Sequence, residues 1–213
     1  MSAGLARAPD WFQERVHVSR ETIHRLERYA ALLIEWQARF NLIGPASLPE
    51  LWTRHFLDSA QLLSLIPPDA KRLIDIGSGA GFPALALAIL LMDRPGFEAV
   101  LIESTQKKCR FLETVISETG APARVHCGRA ETAALPEADV ITARACASLR
   151  ELLDYAVRFV GPQTICLFPK GRSFQDELTD ACRFWKMRYD LVDSQTDPQS
   201  RIIVIRSLTR VSR

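Results

Sequence analysis

The sequence predicts an α/β protein: a doubly wound, mainly parallel sheet closed by an antiparallel C-terminal hairpin and preceded by a helical N-terminal cap. Two patterns predict this class. After Pro68, short β-rich segments alternate with helical stretches, which is typical of crossover connections in a parallel sheet. Before Pro67, apolar residues instead recur at helical spacing. We therefore divide the chain into a cap over 1–68 and a sheet domain over 69–213, and expect them to form one compact unit.

Length and composition restrict the class further. The chain has 213 residues, 47% hydrophobic and 24% charged, which fits a globular domain and excludes disordered, collagen-like and coiled-coil proteins. The longest apolar run, 84–92, has nine residues, whereas a membrane span needs about twenty. The first ten residues contain no apolar signal-peptide core. We expect a cytoplasmic protein with no membrane partner.

Charge and cysteine content indicate neither a dedicated nucleic-acid binder nor a metal site. The net charge of +2, with a pI near 8.3, is too mild to predict or to exclude nucleic-acid binding. The five cysteines lie at least 16 residues apart, and the four histidines form no HxxxH spacing. We predict that the chain holds no metal and that its thiols are reduced and mostly buried.

Two helices are predicted in the cap. The first carries an apolar stripe at intervals of three, four or seven residues and ends within 41–45. The second begins at a capping box from Ser47 to Glu50, with Pro49 in its first turn, and continues to Leu63. The stripe of the first helix consists of Ile23, Leu26, Ala30, Leu33 and Phe40.

Seven strands and four helices are predicted after the cap. The last two strands are joined only by a polar turn over 193–201, so they must be antiparallel, because a parallel return needs a crossover of about a dozen residues. The predicted strands span 72–76, 99–103, 124–127, 139–142, 164–168, 189–192 and 202–205. The predicted helices span 82–92, 105–118, 148–159 and 173–184.

A glycine-rich turn after the first strand is the strongest local signal for function. Gly77, Gly79 and Gly81 permit positive φ and close approach to a ligand, and the helix that starts near Phe82 offers unpaired N–H groups. A dinucleotide fingerprint would need its third glycine at Phe82, and there is no Lys-Ser/Thr pair for a nucleotide P-loop. The loop therefore predicts a cofactor and favours a methyl donor over NAD.

Two acids near this loop indicate the same cofactor. Asp75 lies two residues before Gly77, where it would repel a pyrophosphate but attract a cation, such as the amino group or sulfonium of S-adenosylmethionine. Glu103 ends the second strand, 26 residues after Gly77, where an acid accepts hydrogen bonds from ribose hydroxyls. The alternative is that Asp75 caps a turn and Glu103 is a surface residue.

The third and fourth strands lead to the same predicted cleft, because ligands of open α/β sheets bind at the carboxyl ends of the strands. The third leads to 128–131, whose backbone could frame an adenine, and the fourth leads to Arg144. Taken alone, Glu131 also fits an acid at a helix start, and Arg144 a surface ion pair. The fourth strand lacks the Asn/Asp-Pro-Pro-aromatic turn of many amine methyltransferases. This favours a nucleophile with a free lone pair, such as guanine N7.

A cysteine mechanism is the main chemical alternative. Enzymes that methylate carbon 5 of cytosine need a thiolate near the ends of the fourth and fifth strands, where Cys146 and Cys166 fall. Cys166 lies inside an apolar strand, and Cys146 has no preceding proline. We interpret both as small buried side chains.

Three strings in fixed order give the chain a resemblance to a known family. They are RHFLDS at 54–59, DIGSGAGFP at 75–83 and RACASL at 144–149. Together they resemble the bacterial small-subunit ribosomal RNA methyltransferase G family (glucose-inhibited division protein B), over about residues 20–207. The glycine loop alone is shared by all class I methyltransferases, whereas the other two strings are far more specific.

The resemblance implies a Rossmann-like class I S-adenosylmethionine-dependent methyltransferase fold. It implies methylation of guanine N7 in 16S rRNA, in the loop near the decoding centre (guanine 527 in standard rRNA numbering). The family's cofactor contacts fall on Gly77, Phe82, Ala130, Glu131 and Arg144. The family often has Pro, Leu and Ser at the positions of Ala80, Phe82 and Ala143, and a small-Leu pair in place of Phe168-Pro169.

The candidate site follows from the motifs and the resemblance together. On the substrate side, Arg144 and Lys170 are candidates for positioning the base or neutralising phosphate, and Arg54 and His55 for contacting RNA. Arg54 and His55 fit capping or packing equally well. No general base is assigned, because N7 carries a free lone pair. The cofactor-binding candidates are Asp75, Gly77, Gly79, Gly81, Phe82, Glu103, Ala130, Glu131 and Arg144.

Several functional alternatives stay open at this point. The substrate is naked 16S rRNA, the small ribosomal subunit or an assembly intermediate, and we expect the protein to act as a monomer. A methyltransferase of the same fold could act on another RNA or a small molecule. An NAD-binding oxidoreductase and a non-catalytic RNA-binding protein with a degenerate loop are the remaining classes, and the intact loop and its acids count against the last.

Overall fold

The computed structural model describes residue 8 and residues 10–211. None of the helices in this part of the chain combines the length and the apolar content that crossing a membrane requires. The helices are α1 (Asp10–Val16), α2 (Arg20–Gln37), α3 (Asp58–Ala60), α4 (Ala84–Leu90), α5 (Gln106–Thr119), α6 (Leu149–Ala156) and α7 (Phe174–Ala181). The strands are β1 (Arg72–Ile76), β2 (Glu98–Glu103), β3 (Ala123–Cys127), β4 (Ala138–Thr142), β5 (Val160–Lys170), β6 (Trp185–Asp193) and β7 (Arg201–Arg210).

The strands form one sheet in the order β3-β2-β1-β4-β5-β7-β6. The five strands from β3 to β5 in this order are parallel, and β7 is antiparallel to both β5 and β6. The predicted α/β class and the antiparallel C-terminal hairpin are therefore confirmed. The strand order reverses between β1 and β4, and ligands of doubly wound sheets bind at such a switch point.

Two apolar cores cover the two faces of the sheet. On one face, α4 and α5 share a core with the cap, in which Phe12, Leu26, Tyr29 and Phe56 are buried. On the other face, α6 and α7 pack against the sheet, with Trp185 among the largest buried side chains. Because the cap and one sheet face share a core, the cap has a fixed position beside the carboxyl ends of the strands.

The first cap helix agrees with the sequence pattern over most of its length. Ser19 caps α2, where its Oγ accepts a hydrogen bond from the Thr22 N–H at 3.1 Å. The predicted stripe from Ile23 to Leu33 is buried. However, α2 ends at Gln37, so the prediction that Phe40 belongs to the helix is wrong.

The second cap helix is not the regular helix that the sequence predicts. A 3₁₀ segment (Pro45–Glu50) leads to one π-helical segment (Trp52–Leu57), then α3, then another 3₁₀ segment (Gln61–Leu65). The Ser47 capping box does not form, since the Ser47 hydroxyl donates to the Gly44 carbonyl at 2.8 Å and also contacts His55. π-Segments often occur at functional sites, and this one holds His55 near the carboxyl edge of the sheet.

Candidate active site

An open cleft of about 1080 Å³ lies at the carboxyl edge of the sheet. Its lining comes from the turns that follow β1, β2, β3 and β4, from the irregular part of the cap and from the turn between β6 and β7. The cleft therefore lies over the switch point, at the edge where the sequence places the cofactor.

The glycine loop after β1 forms one wall of this cleft and has no room for a side chain at two of its three glycines. Gly77 has φ +70°, and a Cβ there would lie 2.6 Å from the Cys146 Cβ and 2.9 Å from its Sγ. Gly81 has φ +94°, and a Cβ there would lie 2.5 Å from the Tyr29 hydroxyl oxygen. The first contact joins the loop to the turn after β4, and the second joins it to the cap.

Glu103 braces the same loop. Its Oε2 accepts from the Gly79 N–H at 2.9 Å and its Oε1 from the Thr105 N–H at 2.7 Å. Its side chain is buried at the edge of the cleft. Each carboxylate oxygen can accept more than one hydrogen bond, so Glu103 retains acceptor capacity for ribose hydroxyls. The sequence indicates the acid but not its role in holding the loop.

Asp75 lies immediately behind the loop and not on the lining of the cleft. It is 1% exposed, and its Oδ1 accepts from the Thr142 hydroxyl at 2.6 Å. Its Oδ2 is buried and has no hydrogen-bond partner among the described residues. Burial raises the pKa of Asp75 to about 7, although the hydrogen bond from the Thr142 hydroxyl acts to lower it. A buried carboxylate oxygen without a partner is costly, and a cationic group at this point would relieve that cost.

The turn after β3 forms the end of the cleft next to Glu103. Ala130 and Glu131 lie on the lining, and the Gly128 N–H donates to the Glu103 carbonyl at 2.9 Å. Ala130–Thr132 forms a short 3₁₀ turn with Glu131 in it, so the helix-start role considered for this acid is compatible with its place in the cleft.

Arg144 is held from three sides. Its Nη1 donates to the Arg54 carbonyl and to the Asp58 Oδ2, both at 3.0 Å, and its Nη2 donates to the His55 Nδ1 at 2.7 Å. The guanidinium also lies over the Phe82 ring, 5.3 Å from its centroid. These contacts use three of its five N–H groups. The Nε–H and one Nη2–H are left for a ligand in the cleft.

His55 is neutral and has one defined tautomer. Because Arg144 can only donate, the His55 Nδ1 is the acceptor, and the Nε2–H then donates to the Ser47 Oγ at 2.9 Å. Burial, with the charges of Arg144 and Arg54, lowers the pKa of His55 to about 3. His55 therefore serves as an acceptor for Arg144 and has no proton to exchange near neutral pH.

Phe82 connects the glycine loop to the cap. Its ring stacks on Tyr29, with centroids 5.1 Å apart and planes 13° apart, and lies 5.0 Å from the His55 ring. Phe56 contacts it edge-on at 5.2 Å. This aromatic cluster fixes the loop at the position where a dinucleotide fingerprint would need glycine.

Comparison with known proteins decides the family. The model of the family described as rRNA small subunit methyltransferase G matches residues 22–211. A protein named ribosomal RNA small subunit methyltransferase G, from Parvibaculum lavamentivorans, is 50% identical over 199 residues, which cover 92% of this chain and 88% of that protein. One of the same name from Caulobacter vibrioides is 41% identical over 217 residues, covering 99% and 100%. The chain belongs to the rRNA small subunit methyltransferase G family. The resemblance stated from the three motifs is therefore confirmed.

Solved structures confirm the fold at low sequence identity. An O-methyltransferase from Bacillus cereus, in complex with SAH, aligns with a TM-score of 0.60 and 12% identity, covering 97% of this chain and 100% of that one. The O-methyltransferase TomG from Streptomyces achromogenes, in complex with SAM, aligns with a TM-score of 0.58 and 15% identity, covering 92% and 94%. The family member described here has the class I S-adenosylmethionine-dependent methyltransferase fold.

The cleft brings together most of the candidate residues. Arg54 and His55 lie on the lining of the cleft, whereas Asp75 and Gly81 lie behind it. Sequence reasoning missed Tyr29, Asp58 and Thr142, although Asp58 belongs to one of the family strings. The candidates on the lining are Arg54, His55, Gly77, Gly79, Phe82, Glu103, Ala130, Glu131 and Arg144.

Lys170 lies apart from this group. It lines a smaller neighbouring cavity of about 540 Å³, which Arg144 also lines. Lys170 is 8% exposed, and its Nζ lies 2.8 Å from both the Glu177 Oε2 and the Ala147 carbonyl. Its charge is thus paired within the fold, although sequence reasoning placed it at an RNA phosphate or the base.

Replacing Lys170 by methionine should therefore mainly destabilise the fold. We expect the free energy of unfolding to fall by about 2–3 kcal/mol, because the Glu177 carboxylate would lose its counter-ion in a mostly buried site. Urea denaturation measures this loss, and adding Glu177→Gln should recover part of it. Unchanged stability together with a raised KM for RNA would show instead that Lys170 contacts the substrate.

The cysteines differ from the prediction of mostly buried thiols, which is wrong for three of the five. Cys127, Cys146 and Cys182 are exposed, whereas Cys109 and Cys166 are buried. Cys127 ends β3, Cys146 lies in the turn after β4, and Cys182 follows α7, so each lies at the end of an element and not inside it. Desolvation raises the pKa of Cys146 to about 11 and that of Cys166 to about 12. Neither sulfur is a thiolate at neutral pH, which counts against a cysteine nucleophile.

Proposed function

We propose that this protein transfers a methyl group from S-adenosylmethionine to guanine N7 in 16S rRNA, at guanine 527 near the decoding centre. Membership in the rRNA small subunit methyltransferase G family carries this proposal. The cleft supports it, because one face offers acids and backbone groups for the methyl donor while the other offers arginines for RNA.

The residues of the cleft fit S-adenosylmethionine. Glu103 has acceptor capacity for the ribose hydroxyls, and Ala130 and Glu131 lie where an adenine would be framed. The unpartnered Asp75 Oδ2 places an acid directly behind the glycine loop, which suits the cationic amino group of the methionine part. When bound, the donor supplies a methyl group already activated on a sulfonium. NADH lacks a cation to match Asp75, and Phe82 fills the position of the third fingerprint glycine.

We propose that the residues of this chain contribute to the reaction mainly by orienting the two reactants. Guanine N7 has a free lone pair, so its methylation needs neither a general base nor a Lewis acid, and we propose a metal-free reaction. Among the described residues, His55 is a neutral acceptor and Cys146 is a protonated thiol, so neither is a base at this site. Arg144 and the glycine loop would align the base with the methyl group and exclude water.

The cap provides the second side of the cleft. We propose that 1–68 form this cap on a methyltransferase domain of 69–213, in a monomer that works in the cytoplasm. Residues 1–7, 9, 212 and 213 of these two ranges lie outside the described part of the chain. Arg54 is more than half exposed at the mouth of the cleft, where it could contact an RNA phosphate. Lys108 and Arg129 line the mouth as well.

The test is a methylation assay with isotope-labelled S-adenosylmethionine. Its substrates are 16S rRNA and 30S particles from a strain that lacks this gene, and nucleoside mass spectrometry identifies the product. We expect labelled 7-methylguanosine in the single RNA fragment that contains guanine 527. Binding of S-adenosylhomocysteine with no RNA product would contradict the proposed substrate but not the cofactor. Thermal stabilisation by NADH but not by S-adenosylhomocysteine would contradict both.

A further inference from the structure

Asp58 joins three separate parts of the chain at the cleft. It begins α3, and its side chain is 17% exposed. One carboxylate oxygen, Oδ2, accepts from the Arg144 Nη1 at 3.0 Å. The other, Oδ1, accepts from the Thr196 hydroxyl at 2.7 Å and from the Gln61 Nε2 at 2.8 Å. Its two partners outside the cap lie 86 and 138 residues away along the chain.

Asp58 and its neighbour Gln61 attach the turn between β6 and β7 to the cap. Besides the bond from Thr196, the Gln195 N–H donates to the Gln61 Oε1 at 2.8 Å, and Gln61 is itself bonded to Asp58. Thr196, Asp197 and Ser200 of this turn lie on the lining of the cleft. Asp58 is therefore one of the cap residues that hold this part of the lining in place.

Arg144 depends on Asp58 for its charge balance. Its other two acceptors, the Arg54 carbonyl and the His55 Nδ1, are neutral, and among the described residues Asp58 is its one ion-pair partner. The Arg144 side chain is only 17% exposed. A largely desolvated guanidinium needs a well-oriented carboxylate, so without Asp58 the guanidinium would turn toward solvent and leave the Phe82 ring.

We propose that Asp58 is a positioning residue for methyl transfer, which orients Arg144 and the β6–β7 turn through the two oxygens of one carboxylate. Asp58 also lies on the lining of the cleft, but both of its carboxylate oxygens are bonded to these partners, through which it would act. The inference rests on the proposed function for its kinetic tests, whereas its binding tests need only the cofactor product.

The main test compares Asp58→Asn with the wild type. Asparagine keeps one acceptor oxygen but removes the negative charge opposite Arg144. We expect the Kd for S-adenosylhomocysteine to rise about tenfold and kcat to fall by at least as much. The calorimetric titration also gives the fraction of protein that binds, so a partly unfolded sample is recognised. The Kd and kcat are then both expressed per folded site. Unchanged Kd and kcat per folded site would overturn the proposal.

Two further variants test the roles of the two Asp58 oxygens separately. They also keep the proposal testable if Asp58→Asn does not fold. Thr196→Val removes one bond to the turn but leaves the Arg144 ion pair, so we expect a raised KM for RNA and faster hydrogen exchange over 194–200, with the Kd unchanged. Asp58→Glu keeps the charge, and we expect it to recover part of what Asp58→Asn loses. If Asp58→Asn does not fold, these two variants are compared directly with the wild type. A wild-type KM and wild-type hydrogen exchange in Thr196→Val would contradict the proposed role of Asp58 toward the β6–β7 turn. If Asp58→Glu binds and reacts no better than Asp58→Asn, the proposed role toward Arg144 is contradicted.

Two controls complete the design. Asp193→Asn removes an acid that is 86% exposed from the same hairpin, where it pairs with Arg201, and should leave every measured value unchanged. A double-mutant cycle of Asp58→Asn with Arg144→Lys should show strong non-additivity, because the two residues would act as one unit. Additive losses would overturn the coupling. If the wild type methylates no RNA, the Kd and the hydrogen exchange still decide the role of Asp58.

Discussion

Replacing Gly77 by alanine is expected to weaken binding of S-adenosylhomocysteine by about 100-fold, or ~2.7 kcal/mol. The new methyl group would lie 2.6 Å from the Cys146 Cβ, so either the glycine loop or the turn after β4 must move. Because Arg144 lies two residues before Cys146 in that turn, the displacement would disturb both sides of the cleft. The positive φ of +70° adds a backbone cost of about 1–2 kcal/mol.

Calorimetric titration of the variant measures this effect, and Gly120→Ala is its matched control. Gly120 has a similar φ of +65° but nothing within 4 Å of a new Cβ, so its alanine variant should lose some stability and bind S-adenosylhomocysteine like the wild type. Adding Cys146→Gly to Gly77→Ala should recover part of the affinity, because it removes the clashing atoms. Equal affinities for the wild type and Gly77→Ala would show that the contact of these turns is not needed for binding.

The sheet could be predicted because its signals are local. Strands and helices after Pro68 carry their own patterns, and the polar turn between β6 and β7 leaves only an antiparallel arrangement. The glycine loop and Glu103 were recognisable for the same reason, since they fall at fixed distances along one β-α-β unit. Which edge of the sheet holds the site then follows from topology alone.

The cap and the polar network could not be predicted in the same way. The segment from Pro45 to Leu65 has apolar residues that fit a helix, but its 3₁₀ and π turns depend on packing and on the bond between Ser47 and His55. The ion pair of Arg144 with Asp58 joins residues 86 apart, and no periodicity encodes it. The role of Lys170 could not be predicted either. The sequence around a lysine at the end of a strand does not show whether the lysine faces RNA or a buried carboxylate.

Replacing Asp75 by asparagine is the second change with a large expected effect. Relative to the wild type, the variant should gain stability at higher pH but bind S-adenosylhomocysteine more weakly. The pKa of about 7 in the folded protein exceeds the ordinary value of 3.8. Between about pH 4 and pH 7 the folded state keeps a proton that the unfolded chain has lost, so this group makes stability fall as pH rises through that window. Asparagine cannot ionise. We therefore expect the unfolding free energy of Asp75→Asn, relative to the wild type, to increase by about 3 kcal/mol from pH 4.5 to pH 8.

Binding should respond in the opposite sense, because the same unpartnered oxygen is the proposed acceptor for the ammonium of the cofactor. We expect Asp75→Asn to bind S-adenosylhomocysteine at least tenfold more weakly. In the wild type, a cation beside Asp75 would lower its pKa, so binding at pH 6.5 should release protons, and calorimetry in buffers of different ionisation enthalpy counts them. The variant should release fewer, whereas Asp190→Asn, at an exposed surface pair with Arg206, should match the wild type. If Asp75→Asn binds S-adenosylhomocysteine as tightly as the wild type and releases as many protons, Asp75 does not interact with the cofactor. Its role is then the structural one of accepting the hydrogen bond from Thr142.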